Sequence, residues 1–369
     1  MTEVYIIAEA GVNHNGDLNR ALAMVDAAAE AGADAVKFQT FRPEALASRF
    51  AAQADYQIRN EGDSGSQLAM LRRLTLDFDA HRRLLNHCAT RGIDFLSSPF
   101  DTESARFLIE ELTLPRIKLG SGELTNAPLL LQIAQAGREV ILSTGMATLD
   151  EVREALGVLA FGYGNRNEPH TRADFAAALQ DTTTIEQSHN DLFGKKVTLL
   201  HCTTEYPCPP DQVNLLVMDT LREATGLSVG YSDHTLGIHI SVAAAARGAT
   251  VLEKHFTLDR NLPGPDHVAS IEPNELAALV SAVRDISQAL GEATKVPGEV
   301  ELKNAAVVRK SLVAARAIRA GEPFSAENLT VKRPGTGRSP MDYWALLGQT
   351  ADRDYQSDEV IDSGALKDE

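Results

Sequence analysis

Two lysines stand where lysine is expensive. Lys37 lies in AVKFQT and Lys118 in RIKLGSGE, both within apolar, β-branched runs. An unpaired ammonium buried in such surroundings is costly, so each stem either snorkels past a rim or brings its charge to an anion. Gathered with Ser98, Ser121 and Ser232, the two ammoniums would form a cationic, hydroxyl-rich pocket suited to a phosphate and a carboxylate. A Schiff-base aldolase is the competing use of such a lysine. His234 in GYSDHT and His255 in EKHFT are 21 residues apart, which is no local metal motif. As a pair they would suit a divalent ion with open positions, while a single one would suit a general base. The carboxylates of Glu9, Glu123 and Asp266 could face a polyol or simply pair with the lysines. The GPD turn at 264–266 places the last of them in a tight loop.

These residues need a scaffold that presents them together, and the chain supplies a repeating one. Eight short runs alternate with amphipathic stretches: 4–11, 35–40, 94–100, 116–121, 139–145, 197–204, 227–233 and 250–257. Helices are expected between them, opened by Asp17, Asp77 and Thr148 and closed near Gly32, Gly92 and Gly137. Strands alternating with helices imply parallel pairing, and eight such units predict a closed (β/α)8 barrel, a TIM barrel of the α/β class. An open doubly wound sheet is the alternative. Every run ends in polar residues, Gln39, Thr204, Tyr206 and Glu253 among them, and catalytic groups of such barrels sit at those ends.

Two stretches break the rhythm. Residues 41–77 read as a long loop on the catalytic face, and 162–196 as a polar insert at the opposite end. The barrel is expected over 1–290, a polar linker over 291–308, and a small, mostly β or irregular domain over 309–369.

Composition narrows the function classes. With 35 Lys and Arg against 51 Asp and Glu, the net charge is −16, and aromatics make up 5%. That field repels phosphate backbones and leaves few stacking platforms, which argues against nucleic-acid partners. Three cysteines without a CxxC pair give neither a disulfide framework nor a zinc–cysteine site. No basic leader opens the chain and no apolar run approaches 18 residues, so a cytoplasmic protein without membrane association is expected.

The ordered motifs IIAEAGVNHNGD, AVKFQT, FLSSPF, IKLGSGEL, ILSTGMAT, LLHCTTEYP, GYSDHTLG, LEKHFTLD and GPDHVASIEP resemble those of bacterial sialic acid synthases, which use phosphoenolpyruvate. The tail, RKSLVAARAIRAGE through NLTVKRPGTGRSP, resembles their C-terminal antifreeze-like (SAF) domain. The resemblance implies condensation of phosphoenolpyruvate with an open-chain acetamido sugar, releasing phosphate, with Mn2+ or Mg2+ as cofactor. Matching motifs put Lys37, Ser98, Lys118, Ser121 and Ser232 on phosphoenolpyruvate, with Thr204 a lesser contact. His234 and His255 match the metal ligands. Gln39, Glu123, Tyr206, Asp266 and Arg333 match sugar contacts, Arg333 reaching across a domain-swapped homodimer. Glu9 falls beside the reacting aldehyde, and Glu9 or Glu123 is the proton carrier. Thr336 departs from the asparagine common in the tail motif, and Asn60 is the nearest candidate for an asparagine that some members use after the second strand. The expected product is N-acetylneuraminate from N-acetylmannosamine. The alternative is legionaminic or pseudaminic acid from a 2,4-diacetamido-trideoxyhexose.

Overall fold

The computed structural model describes residues 3–61, 66–164, 171–184 and 193–362. Eight parallel strands form one sheet: β1 Tyr5–Gly11, β2 Ala35–Thr40, β3 Asp94–Pro99, β4 Arg116–Leu119, β5 Glu139–Ser143, β6 Val197–His201, β7 Ser228–Asp233 and β8 Val251–His255. The ladder runs β3–β2–β1–β8–β7–β6–β5–β4, and β3 and β4 lie side by side at the seam. Pairing the first strand with the eighth rolls the sheet up, giving the TIM barrel the periodicity predicts.

Period-two alternation divides each strand into two faces. Ile6, Ala8, Val36, Phe38, Ile117 and Leu119 turn outward into the core beneath the helices. Ile7, Ala35, Leu96, Ile141, Leu200 and Val251 form a separate apolar cluster that plugs the barrel interior. Two residues farther along the same strands stand Glu9, Lys37, Ser98, Ser143 and Glu253, with Cys202 just past the end of β6. The polar layer therefore sits directly above a dry floor. The plug leaves no spare room: a Cβ on Gly230 would come 2.2 Å from the Val251 carbonyl oxygen and 2.7 Å from Leu200. That is why β7 carries glycine in this layer.

The helices are bounded as expected. Asp17, Asp77 and Thr148 are the N-caps of Leu18–Glu30, Phe78–Arg91 and Leu149–Tyr163, the last with a complete capping box to Glu151. Gly92 closes its helix in the left-handed conformation.

Both irregular stretches hold more structure than the sequence suggests. The expected loop at 41–77 carries the helices Pro43–Leu46, Asp55–Glu61 and Gln67–Leu74. Val12, Phe41, Ala47, Met70, Leu71 and Leu74, with Leu46 packed against them, give the first and last of these a small core of their own. In the 162–196 insert, helix Arg172–Thr184 packs on Leu149–Tyr163, with Phe175 edge-on to Phe161 at 5.5 Å. Residues 165–170 and 185–192 of that insert lie outside the described set.

The chain divides into two compact units, Met1–Gly291 and Glu292–Glu369. In the second, β9 Ser311–Ala314 pairs antiparallel with β10 Leu329–Lys332 over a core that includes Leu312, Ile318, Phe324, Tyr355 and Ile361. The polar stretch before β9 holds a helix, Glu299–Val308, none of whose residues is buried. Among the described residues, no helix is long and apolar enough to cross a membrane.

Candidate active site

Strand register assembles the site. Glu9 stands opposite Lys37 on one side and His255 on the other. Gln39 pairs with Ser98, and Ser232 with Glu253. The result is a cavity of about 430 Å³ at the carboxyl ends of the strands. Every site residue expected from the sequence lines it except Arg333. Arg333 lies in the second unit, exposed, its Nε donating to the Val308 carbonyl at 3.0 Å.

At the base is a charge cluster. Lys37 Nζ contacts Glu9 Oε2 at 2.6 Å and Glu253 Oε2 at 3.6 Å, and donates to Ser98 Oγ at 3.3 Å. Lys118 Nζ lies 3.4 Å from Glu253 Oε1, which also accepts from Ser232 Oγ at 2.9 Å. The two lysines therefore do not snorkel; both are sunk to a few per cent exposure. Burial would raise Glu253, but the flanking Lys118 and Lys37 outweigh it and hold its carboxyl at about 2. Glu9 has the same burial with one close ammonium and a neighbouring carboxylate, so its carboxyl is pushed up to about 7. The two carboxyls of the cluster are thus pushed in opposite directions, Glu253 down and Glu9 up.

Glu253 is the residue that sequence reasoning undervalued. It appeared as one polar strand end among many, without a role. Its signal was the alternation in VLEKH, which puts Glu253 on the same face as His255 and turns Lys254 away. Ser143 was passed over in the same way; its Oγ is buried without a hydrogen-bond partner, as is Thr204 Oγ1. Ser121 Oγ accepts from the Gly145 amide at 3.0 Å and lies 3.1 Å from Cys202 Sγ. Hydroxyls and Lys118 thus converge on one end of the cavity, an arrangement that favours an anion.

The other end is aromatic and imidazole-rich. His234 and His255 rings are 5.4 Å apart, and Tyr206 lies 4.2 Å over His234 and edge-on to His255 at 5.3 Å. His234 Nδ1 hydrogen-bonds the Thr203 carbonyl at 2.6 Å, which makes Nδ1 the protonated nitrogen and leaves Nε2 with its lone pair. Buried His255 Nδ1 has no hydrogen-bond partner and stands 4.0 Å from Asp266 Oδ2. Burial keeps both imidazoles neutral, His234 down at about 4 and His255 well below its ordinary value. Neutral imidazoles with an available ring nitrogen fit a divalent ion. Among the described residues no group of three His, Cys, Asp or Glu converges as a complete metal centre. Two protein ligands would leave the remaining positions to substrate and water.

Glu123 sits at the cavity edge, accepting from Asn126 Nδ2 at 2.7 Å, its carboxyl raised by burial. Asn60 is drawn instead into holding loops: its amide donates to the Pro265 carbonyl at 2.6 Å and to the Tyr206 carbonyl at 3.4 Å.

Comparison with known proteins gives the family. The chain is 48% identical to N,N'-diacetyllegionaminic acid synthase of Campylobacter jejuni, over 98% of this chain and 99% of that one. It is 43% identical to the synthase of the same name from Legionella pneumophila, over 93% and 89% of the two chains. A crystal structure of N-acetylneuraminic acid (sialic acid) synthetase from Leptospira borgpetersenii, in complex with citrate, superimposes with a TM-score of 0.66 at 32% identity. That match covers 82% of this chain and 90% of the other. The SAF domain pattern matches residues 309–366 and the NeuB family pattern residues 24–295. The chain belongs to the NeuB family, and its barrel is followed by a SAF domain.

Proposed function

We propose that this protein is an N,N'-diacetyllegionaminic acid synthase, condensing phosphoenolpyruvate with 2,4-diacetamido-2,4,6-trideoxymannose and releasing phosphate. The observation that carries this choice of sugar is the near full-length 48% identity to the Campylobacter jejuni synthase. It displaces N-acetylmannosamine, the sugar expected from the motifs, because those motifs are common to synthases of both kinds.

Phosphoenolpyruvate is held by Lys37, Lys118, Ser98, Ser121, Ser232 and Thr204. The sugar is contacted by Gln39, Glu123, Tyr206 and Asp266. His234 and His255 hold a divalent cation, Mn2+ or Mg2+, whose chemistry when bound is Lewis-acid polarisation of the aldehyde. As the enol carbon attacks, neutral Glu9 donates its proton to the aldehyde oxygen. Glu9, now a carboxylate, then takes the proton of the water that adds to the former enol carbon. Carbon–oxygen cleavage then releases phosphate against Lys37 and Lys118, the remaining hydroxyl proton leaving with the phosphate as the keto group forms, and Glu9 keeps the proton with which it began.

Phosphate release after chelation and Mn2+ add-back tests this reading. Metal-dependent release should be at least ~10-fold faster, by kcat/KM, with the trideoxy diacetamido sugar than with N-acetylmannosamine. Preference for N-acetylmannosamine would overturn the choice of sugar.

The protein acts in the cytoplasm as a domain-swapped homodimer, Arg333 of each SAF domain completing the partner's site. The exposed Met341 and Trp344 of the second unit support a covered surface there. Co-expressed Lys37→Met and Arg333→Ala chains should then regain about a quarter of wild-type activity. Half the dimers would be mixed, and each mixed dimer would hold one intact site. Activity no higher than that of either variant alone would rule out the swap.

A further inference from the structure

The inference deepens the proposed function and rests on its choice of a trideoxy sugar. The cavity has two kinds of lining. Its floor, at the strand ends, carries the lysines, carboxylates, hydroxyls and imidazoles already described. Its wall comes from the stretch between β2 and β3, where the helices Pro43–Leu46, Asp55–Glu61 and Gln67–Leu74 contribute Leu46, Met70, Leu71 and Leu74, with Gln57 and Gln67. Among the described residues, that stretch places no charged side chain in the cavity.

The wall is built rather than incidental. Met70, Leu71 and Leu74 are 2%, 8% and 5% exposed and belong to the apolar cluster that includes Val12, Phe41 and Ala47. A cluster packed on its far side presents a fixed apolar face to the cavity. The helix Gln67–Leu74 also has a real start, with Ser66 Oγ accepting from the Ala69 amide.

We propose that this wall reads the C6 end of the sugar and selects a methyl group over a hydroxymethyl. The reacting end of the aldehyde is confined to the floor, where the enol carbon and the proton carrier are. The remainder of an open six-carbon chain must leave that floor; Glu123, Tyr206 and Asp266 line one part of its way out, and the stretch after β2 offers apolar surface with two carboxamides. A C6 hydroxyl seated on the Leu46, Met70, Leu71 and Leu74 surface gives up its water and gains no hydrogen bond from those side chains. A C6 phosphate would need cations that the wall does not supply. A methyl group loses nothing, and Gln57 and Gln67 can hydrogen-bond an acetamido group on the same end of the sugar.

The test uses a pair of substrates that differ in one oxygen, N-acetylmannosamine and its 6-deoxy analogue, together with 2,4-diacetamido-2,4,6-trideoxymannose. The wild-type holoenzyme should favour the 6-deoxy analogue over N-acetylmannosamine by roughly 10- to 100-fold in kcat/KM, the range in which an apolar pocket discriminates a single added hydroxyl. Met70→Gln should bring that ratio to within about 3-fold of unity, whereas Met70→Leu should leave it in place. If Met70→Gln does not fold, the wild-type ratio decides alone. Equal kcat/KM for the matched pair would overturn the wall as a C6 reader, even where the trideoxy diacetamido sugar is preferred to both and the proposed function stands. Preference for the 6-deoxy analogue with no gain from the second acetamido group would support the wall and overturn the proposed sugar. A wild-type ratio that Met70→Gln leaves untouched would place the selection elsewhere and overturn the assignment.

Discussion

Glu9→Gln should lower turnover by about 10²- to 10⁴-fold, the usual worth of a positioned proton carrier. Glutamine keeps the shape of the side chain and loses the proton. Lys37 would still have Glu253 at 3.6 Å and Ser98 at 3.3 Å, so the proposed phosphoenolpyruvate cradle retains its charge. KM for phosphoenolpyruvate should accordingly move far less than kcat. The pH profile separates this role from a purely structural one. Burial raises Glu9 to about 7, and the protonated form is the one that begins the proposed cycle. In the wild type kcat/KM, which reports the free enzyme, should therefore fall tenfold per pH unit above about 7. The corresponding limb of kcat should lie higher, because bound phosphoenolpyruvate adds negative charge beside the carboxyl and holds its proton more tightly. Glu9→Gln should flatten that limb. Near wild-type turnover with the limb intact would take the role from Glu9 and leave Glu123, whose carboxyl is also raised by burial, as the proton carrier.

The reasons Glu9 could be picked out from sequence, and Glu253 could not, are physical. Strand rhythm and polar strand ends place a residue on the catalytic rim, so Glu9, Lys37, Lys118 and the two histidines were legible. Which acid serves which lysine depends on register across neighbouring strands, and no single strand encodes that. Only the pairing of Glu9 with Lys37, and of Ser232 with Glu253, shows Glu253 linking both lysines. The stretch after β2 was illegible for a different reason. Its helices have 4, 7 and 8 residues, too short to show a sustained apolar period, and the last of them is held by packing with Val12 and Phe41 rather than by propensity. The wall of the site thus emerges only from tertiary contact. Arg333 shows the converse limit. Its motif was readable, but its side chain lies outside the cavity, with Nε donating to the Val308 carbonyl.

The largest stability effect should come from a pair that never enters the cavity. Asp233 and Lys254 stand opposite one another in register, immediately before His234 and His255. Their side chains are 0% exposed with Lys254 Nζ 3.0 Å from Asp233 Oδ2. Alternation turns them to the outer face of the barrel, where Ser241 of helix His239–Ala246 donates to Asp233 and Lys254 also donates to the Thr235 carbonyl. Thr235 closes the group, its amide and hydroxyl each 2.8 Å from Asp233 Oδ1. Asp233→Asn leaves a fully buried ammonium without its counter-charge, and Lys254→Met leaves the carboxylate. Each should cost about 3–5 kcal/mol, read as a fall of roughly 10 °C in Tm by circular dichroism. The double variant should lose much less than the sum, because an ion pair removed whole leaves no stranded charge. Strictly additive losses would show that the two groups stabilise the barrel independently. The pair would then not be what ties the ends of β7 and β8 together beneath the two histidines.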